Sequence, residues 1–158
     1  MAKVLIVYYS RTGSTEEMAE LIREGVESEG VKAECKKVEE VSAGEFLEYG
    51  GIIIGSPTYY GSMSYEVKKL LDESVEFHGK LRGKVGAAFT SAANIGGGNE
   101  TTIMDILKAF LIHGMVVEGD SDGDHYGPVA IGSPDDRSKP QCKRLGQKVA
   151  KLVKKLKL

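Results

Sequence analysis

Four hydroxyl side chains and one glycine stand together in Ser10-Arg11-Thr12-Gly13-Ser14-Thr15, after an apolar run and at the start of a helical pattern. A helix start offers unpaired N–H groups and the positive end of the helix dipole, which favours an anion. One Ser or Thr would be enough to cap a helix. Four, with a glycine free to adopt a tight turn, have the chemistry of a phosphate site.

Two further segments carry ligand chemistry. Pro57-Thr58-Tyr59-Tyr60-Gly61 puts adjacent tyrosines on a loop punctuated by proline and glycine, suited to stacking on a flat ring. Ser91-Ala92-Ala93-Asn94-Ile95-Gly96-Gly97 leads into a third successive glycine, so its backbone can approach and read the polar edge of a heterocycle. Phosphate plus planar ring describes a mononucleotide-like cofactor held without a metal.

Other nucleotide sites are excluded by what the first segment lacks. It has no G-x-x-x-x-G-K-[ST] and no G-x-G-x-x-G. Tyr8-Tyr9-Ser10 offers no acidic pair for a metal-dependent receiver, and neither Cys35 nor Cys142 sits in the loop as a phosphatase nucleophile. Asp120-Ser121-Asp122-Gly123-Asp124 fails the calcium-loop pattern, because His125 stands where the glycine belongs and no glutamate follows at the twelfth position. No metal site is expected.

The elements that position these segments alternate. Lys3–Tyr9 reads as a strand buried on both faces, Thr15–Ser28 as a helix, and Val31–Val38 as a half-polar strand near an edge. Residues 50–55 form a short buried strand, Tyr65–Ser74 a helix, Lys84–Thr90 a strand and Thr101–His113 a helix. Met115–Val117 is a short strand that Val129–Ile131 resumes after the acidic insertion Gly119–Gly127, and residues 141–157 form the last helix. Such alternation specifies a parallel sheet with helices on both faces, one doubly wound α/β domain over residues 1–158. In that architecture ligands bind at the carboxyl ends of the strands, where all three segments fall.

Composition agrees: 158 residues, 41% hydrophobic and 28% charged, describe an ordinary globular chain rather than a disordered one. Two cysteines outside any C-x-x-C pair, no secretory h-region and no long apolar run predict a cytoplasmic protein without membrane contact. Residues 138–158 hold eight Lys/Arg and no acid, which leaves the first 137 with a net charge of −10. Cys142, Leu145, Val149, Leu152, Val153 and Leu156 fall at helical spacing, so this tail reads as an amphipathic helix whose basic face complements the glutamates of the first helix. No nucleic-acid partner is expected. The twenty glycines are assigned mainly to turns and to the strand-end loops, Gly13, Gly55, Gly61 and Gly96–Gly98 among them.

With these residues in view, the chain resembles the flavodoxin-like FMN proteins, and most closely the WrbA-type NAD(P)H:quinone oxidoreductases. The resemblance rests on AKVLIVYYS, GSPTYYGSM, KVGAAFTS followed by GGGNETTI, and HGMVV. It implies a three-layer α/β/α fold with a five-stranded parallel sheet in the order 2-1-3-4-5, and non-covalent FMN. By the same resemblance Ser10–Thr15 hold the phosphate, Thr58, Tyr59 and Tyr60 line the isoalloxazine, Ser91–Gly97 contact its polar edge, and His113 lies near the flavin. His78 and His113 are the candidate residues on the substrate side, His113 as a hydrogen-bond or proton donor, and no catalytic residue is assigned firmly. NAD(P)H as electron donor, a quinone or other small acceptor, and a homo-oligomer (dimer or tetramer) are also implied. This chain departs from that family in three ways: a shorter segment after the second strand, no tryptophan, and Thr12 in place of a tyrosine. The leading expectation is an FMN-dependent NAD(P)H:quinone oxidoreductase. The alternatives are a flavodoxin-type electron carrier and a flavin-binding module that does not turn over.

Overall fold

A computed structural model describes residues 2–158. Strand β1 (Lys3–Tyr8) forms from a β-branched run, and its five residues from Val4 to Tyr8 are all buried. It feeds α1 (Ser14–Ser28), which returns to β2 (Lys32–Lys37). Then follow β3 (Gly51–Pro57), α2 (Tyr65–Glu73), β4 (Val85–Ala92) and α3 (Asn99–Ile112). The chain closes with β5 (Val116–Val117), β6 (Val129–Ile131) and α4 (Ser138–Leu156).

The sheet runs β2-β1-β3-β4-β5, every pairing parallel. β5 pairs with Val85 and Gly86, whereas β6 pairs with Thr90, Ser91 and Ala92 on the same edge of β4. The fifth position is therefore one strand in two pieces, with the acidic insertion looping out between them as expected. Alternation along β1 divides the core. Leu5 and Val7 face α2 and α3, while Val4, Ile6 and Tyr8 face α1 and α4.

Charge complementarity on the α1–α4 side holds. Lys143 pairs with Glu24 at 2.9 Å, and Lys151 and Lys154 reach Glu29 at 3.4 and 3.7 Å. The closeness of the two helices has another cause. A Cβ on Gly25 would overlap the Lys143 carbonyl, and one on Gly146 would overlap the Ile22 carbonyl. These glycines, inside helices rather than loops, set the helix spacing. Gly55 is likewise no loop glycine: it lies inside β3 under the ring of Phe89, which a Cβ would strike.

The insertion is held by α4. Asp120 pairs with Arg144 at 2.9 Å and Asp124 with Arg137 at 2.9 Å, so two of its three acids meet cations of the protein itself. Among the described residues no group of three or more His, Cys, Asp or Glu is placed to hold a metal, and no helix is long and apolar enough to cross a membrane. α4 begins three residues before residue 141, where the periodicity placed its start. Asp135 Oδ1 accepts the Ser138 N–H at 2.8 Å, and this side-chain turn starts the helix ahead of Pro140. Cys142 lies on the buried face of this helix, and burial pushes its thiol up to about 12.

Candidate functional site

At the carboxyl ends of β1, β3 and β4 the structure opens a cleft of about 570 Å³, within the range of small-molecule and cofactor sites. Arg11, Thr12, Ser14 and Thr15 form one wall, Pro57, Thr58 and Tyr59 a second, and Ser91, Ala92 and Ala93 a third. Three distant segments of sequence thus meet at one place.

The first wall has the properties of an anion site. Gly13 takes φ +100°, a left-handed conformation that β-carbons disfavour, and α1 starts after it with no side-chain cap. Ser10 Oγ accepts the Gly13 N–H at 3.1 Å, folding the loop back on itself. The Glu17 N–H returns to the Gly13 carbonyl, and the N–H groups ahead of it face the cleft end of the helix without a side-chain acceptor. Glu16, in the first turn of α1, is engaged elsewhere: Tyr8 donates to its Oε1 at 2.9 Å, and burial first, then this bond, raises the Tyr8 phenol. Thr15 is buried and shares a 2.8 Å hydroxyl bond with Ser91, so it ties the first wall to the third. Thr12 and Ser14 are the hydroxyls left to meet a ligand.

Strand pairing continues further than the hydropathy suggested. Pro57 pairs with Ser91, so Ser56, Pro57, Ser91 and Ala92 belong to strands. A hydroxyl chain fixes this edge. Thr90 Oγ1 donates to the Ser56 carbonyl at 2.7 Å, so Thr58 Oγ1, 2.9 Å away, donates to Thr90, and Thr102 reaches Thr58 at 3.1 Å. Thr58 therefore positions the second wall against α3 through its side chain.

Beyond Thr58 the loop is a tight hairpin. Tyr59 and Ser62 exchange backbone bonds at 2.9 and 3.1 Å, with Tyr60 at φ +49° and Gly61 at φ +77°. Tyr60 is fully exposed, while Tyr59 turns inward edge-on to Tyr9, the ring centres 6.4 Å apart. Gly98 packs directly on Gly61, leaving no space there for a Cβ, and Thr101 Oγ1 donates to the Gly61 carbonyl at 2.5 Å.

The cleft gathers only part of the expected set. Ser10, Gly13, Tyr60 and Gly61 stand beside it without lining it. Asn94, Ile95, Gly96 and Gly97 form an exposed rim braced by Asn99, whose Oδ1 accepts the Gly96 N–H at 3.3 Å. Gly132 lines the cleft and was missed. The strand rule would have found it, since Gly132 follows β6 directly and donates to the Ala92 carbonyl at 2.8 Å.

His113 and His78 are corrected. α3 starts at the cleft and runs away from it for 14 residues, a length of about 21 Å, so His113 at its end lies on the opposite side of the molecule from the phosphate wall. Both histidines line a separate cavity between α2 and α3. Within one protomer neither is positioned to touch a ligand in the cleft.

Comparison with known proteins now bears on this geometry. The profile described as flavodoxin matches residues 6–111, two thirds of the chain and all three walls up to Ala93. The chain belongs to the flavodoxin family. A flavodoxin of Aquifex aeolicus (strain VF5) is 39% identical across 97% of this chain and 88% of its own length. An NAD(P)H dehydrogenase (quinone) of Archaeoglobus fulgidus is 30% identical across 99% of this chain and 100% of its own. Among solved structures, the flavodoxin, WrbA-like protein from Agrobacterium tumefaciens superposes with a TM-score of 0.83 at 26% identity, covering 98% of this chain and 99% of that one. The order β2-β1-β3-β4-β5 is the flavodoxin order.

This chain is thus a flavodoxin-like FMN-binding redox protein, and its cleft fits that cofactor on its own terms. The uncapped α1 terminus, Thr12, Ser14 and Arg11 supply phosphate partners. Tyr59 and the apolar surface of Pro57, Ala92 and Ala93 supply a place for a flat ring.

Proposed function

We propose that this flavodoxin-like protein is an electron-transfer carrier, taking electrons from one redox protein and delivering them to another. FMN, when bound, supplies the redox chemistry; the chain binds, orients and shields it. The observation that carries this reading is the set of groups around the cleft. Its walls hold hydroxyls, backbone, a tyrosine and Arg11, and the buried histidine that could have served a small substrate with a proton stands at the far end of α3. A carrier needs no acid–base residue, only a bound cofactor with an accessible edge, and exposed Tyr60 and Ile95 give the cleft an apolar border for a protein partner.

Alignment length also supports it. A flavodoxin of Clostridium saccharobutylicum is matched over 160 positions and 99% of its own length, close to the 158 residues here, whereas the match to the Archaeoglobus fulgidus quinone dehydrogenase spans 190. The carrier reading requires no segment that this chain lacks.

NAD(P)H-dependent quinone reduction is the second reading, favoured by the 30% identity to the quinone dehydrogenase across 99% of this chain. Steady-state assay separates the two. The FMN-loaded carrier, reduced chemically, passes electrons to a redox protein and gives two separated one-electron potentials on titration, with no sustained oxidation of NADH or NADPH by a quinone. Rapid nicotinamide-dependent quinone turnover would overturn the carrier reading.

A further inference from the structure

A strand of three residues gains few ladder bonds, and the cofactor cleft depends on one. β6 pairs only with β4, through Thr90, Ser91 and Ala92. The pairing of β5 stops at Gly86, so residues 87–89 of β4 separate the two pieces and the register of one is not passed to the other. Yet the third wall rests on β6. Ser91 and Ala92 line the cleft, and Gly132, the residue after β6, lines it too and donates to the Ala92 carbonyl at 2.8 Å.

Two side chains supply what a neighbouring strand would. The Thr90 N–H bonds the Pro128 carbonyl at 3.0 Å, and in a parallel ladder this turns the N–H and C=O of Val129 away from β4. Among the described residues no strand lies on that edge. Asp124 Oδ2 accepts the Val129 N–H at 2.8 Å, and Arg137 Nη2 donates to the Val129 carbonyl. The two partners are themselves joined, Arg137 Nη1 reaching Oδ1 and Oδ2 of Asp124 at 2.9 and 3.1 Å. Carboxylate and guanidinium therefore present an acceptor and a donor side by side, as the edge of a strand does. Arg137 also closes a loop. From Val129 the chain runs to the cleft, turns there at Gly132 with φ +68°, and returns at Arg137 to bond its own start. Asp124 is held in turn by α4, its N–H donating to Gln141 Oε1 at 2.7 Å.

We propose that Asp124 and Arg137 are positioning residues for the cofactor: standing in for a strand beside Val129, they fix β6 and the Gly132 turn, and so set the third wall of the cleft without lining it. An ion pair alone does not do this. Val129 needs an acceptor at its N–H and a donor at its C=O, so the order of the two charges matters. Through Asp124 the acidic insertion, which is tied to α4, is coupled to the cleft. This inference rests on FMN occupying the cleft and is independent of the choice between carrier and quinone reductase.

The test measures FMN affinity of the full chain by fluorescence quenching and follows the Ala92 and Gly132 amides by NMR. Asp124→Ala and Arg137→Ala should each weaken FMN binding about tenfold, the scale of one hydrogen bond. In the cofactor-free chain both should shift the Gly132 and Ala92 amides and leave that of Ser14 in place. Arg137→Lys keeps a charged donor and should recover most of the loss. The exchanged pair, Asp124→Arg with Arg137→Asp, keeps opposite charges but sets donor against donor and acceptor against acceptor on Val129, so it should bind FMN as poorly as the alanine variants. Asp120→Asn weakens only the tie to Arg144 and should leave the affinity within about twofold. In the unsubstituted protein the Val129 amide should exchange with solvent as slowly as that of Ala130, although no strand lies beside it. Unchanged FMN affinity in both alanine variants, full recovery by the exchanged pair, or fast exchange at Val129 would each overturn the proposal. The exchange rate is read without substitution, so the test stands even if a variant fails to fold. An Ala92 amide that FMN does not move in the unsubstituted protein would overturn the cofactor reading itself, and the proposal with it.

Discussion

Two cavities of nearly equal size, about 570 and 560 Å³, lie on one small domain and differ in almost everything else. The strand-end cleft is built by backbone: an uncapped helix start, a glycine at φ +100° and strand termini braced by a hydroxyl chain. The α2–α3 cavity is built by side chains, with self-paired charges at its edge and a buried imidazole in its wall. Volume does not tell them apart. The first presents donors and so suits an anion; the second presents apolar side chains and keeps its one unmatched acceptor buried.

The largest expected effect comes from placing a charge in the donor-rich cavity. Thr12→Glu, on an exposed loop, sets a carboxylate against the FMN phosphate, and FMN affinity by fluorescence quenching should fall by about 100-fold, roughly 2.7 kcal/mol, with the fold intact. His113→Phe should leave that affinity within about twofold, since α3 separates its site from the cleft. Loss of FMN binding in the histidine variant would erase the distinction between the cavities.

Next come the residues that hold the cleft together. Thr58→Val leaves Thr90 and Thr102 without their shared partner and should cost about 1–2 kcal/mol of unfolding free energy by urea titration. Gly98→Ala adds backbone strain and a collision with Gly61, so it should cost more than Gly96→Ala, where nothing lies near the added carbon.

A pH scan sharpens the contrast from the other side. His113 has its pKa lowered in the folded state, so the unfolded chain binds the extra proton first as pH falls through about 6.5. Stability should therefore decline from pH 7 toward the lower folded pKa, and His113→Phe should flatten that decline. Asp72, Asp105, Lys68, Lys108 and His78 face the same cavity, so the comparison is made between the two proteins in the same buffers. The smallest effect belongs to the α1–α4 seam. Glu24→Ala breaks an exposed pair with Lys143 and should lower stability only marginally, the difference vanishing at high salt.

Sequence patterns made the architecture legible because every major element carries its own period. The short, β-branched run VLIVY ahead of a turn-rich segment reads as a strand buried on both faces, and the broken fifth strand was readable from two short apolar pieces around an acidic loop. The cleft was legible as three converging segments. What escaped depends on approach between distant residues: Phe89 covering Gly55, or Gly25 and Gly146 admitting two helices to close contact. His113 is more instructive. Its placement near the flavin came from the motif HGMVV, yet the expected helix over 101–113, starting at a strand end, already directs its last residue to the opposite side. Direction along a helix outweighs a motif.

The central claim is that the strand-end cleft, with α1 as its phosphate wall, holds the cofactor. Backbone amide NMR of the cofactor-free chain titrated with FMN tests it most directly. The account predicts the largest shifts at the Ser14 and Thr15 amides, further shifts at Tyr59, Ala92, Ala93 and Gly132, and none at Val75 or His113. Shifts centred on the α2–α3 cavity, or an unmoved α1 terminus at saturation, would contradict it.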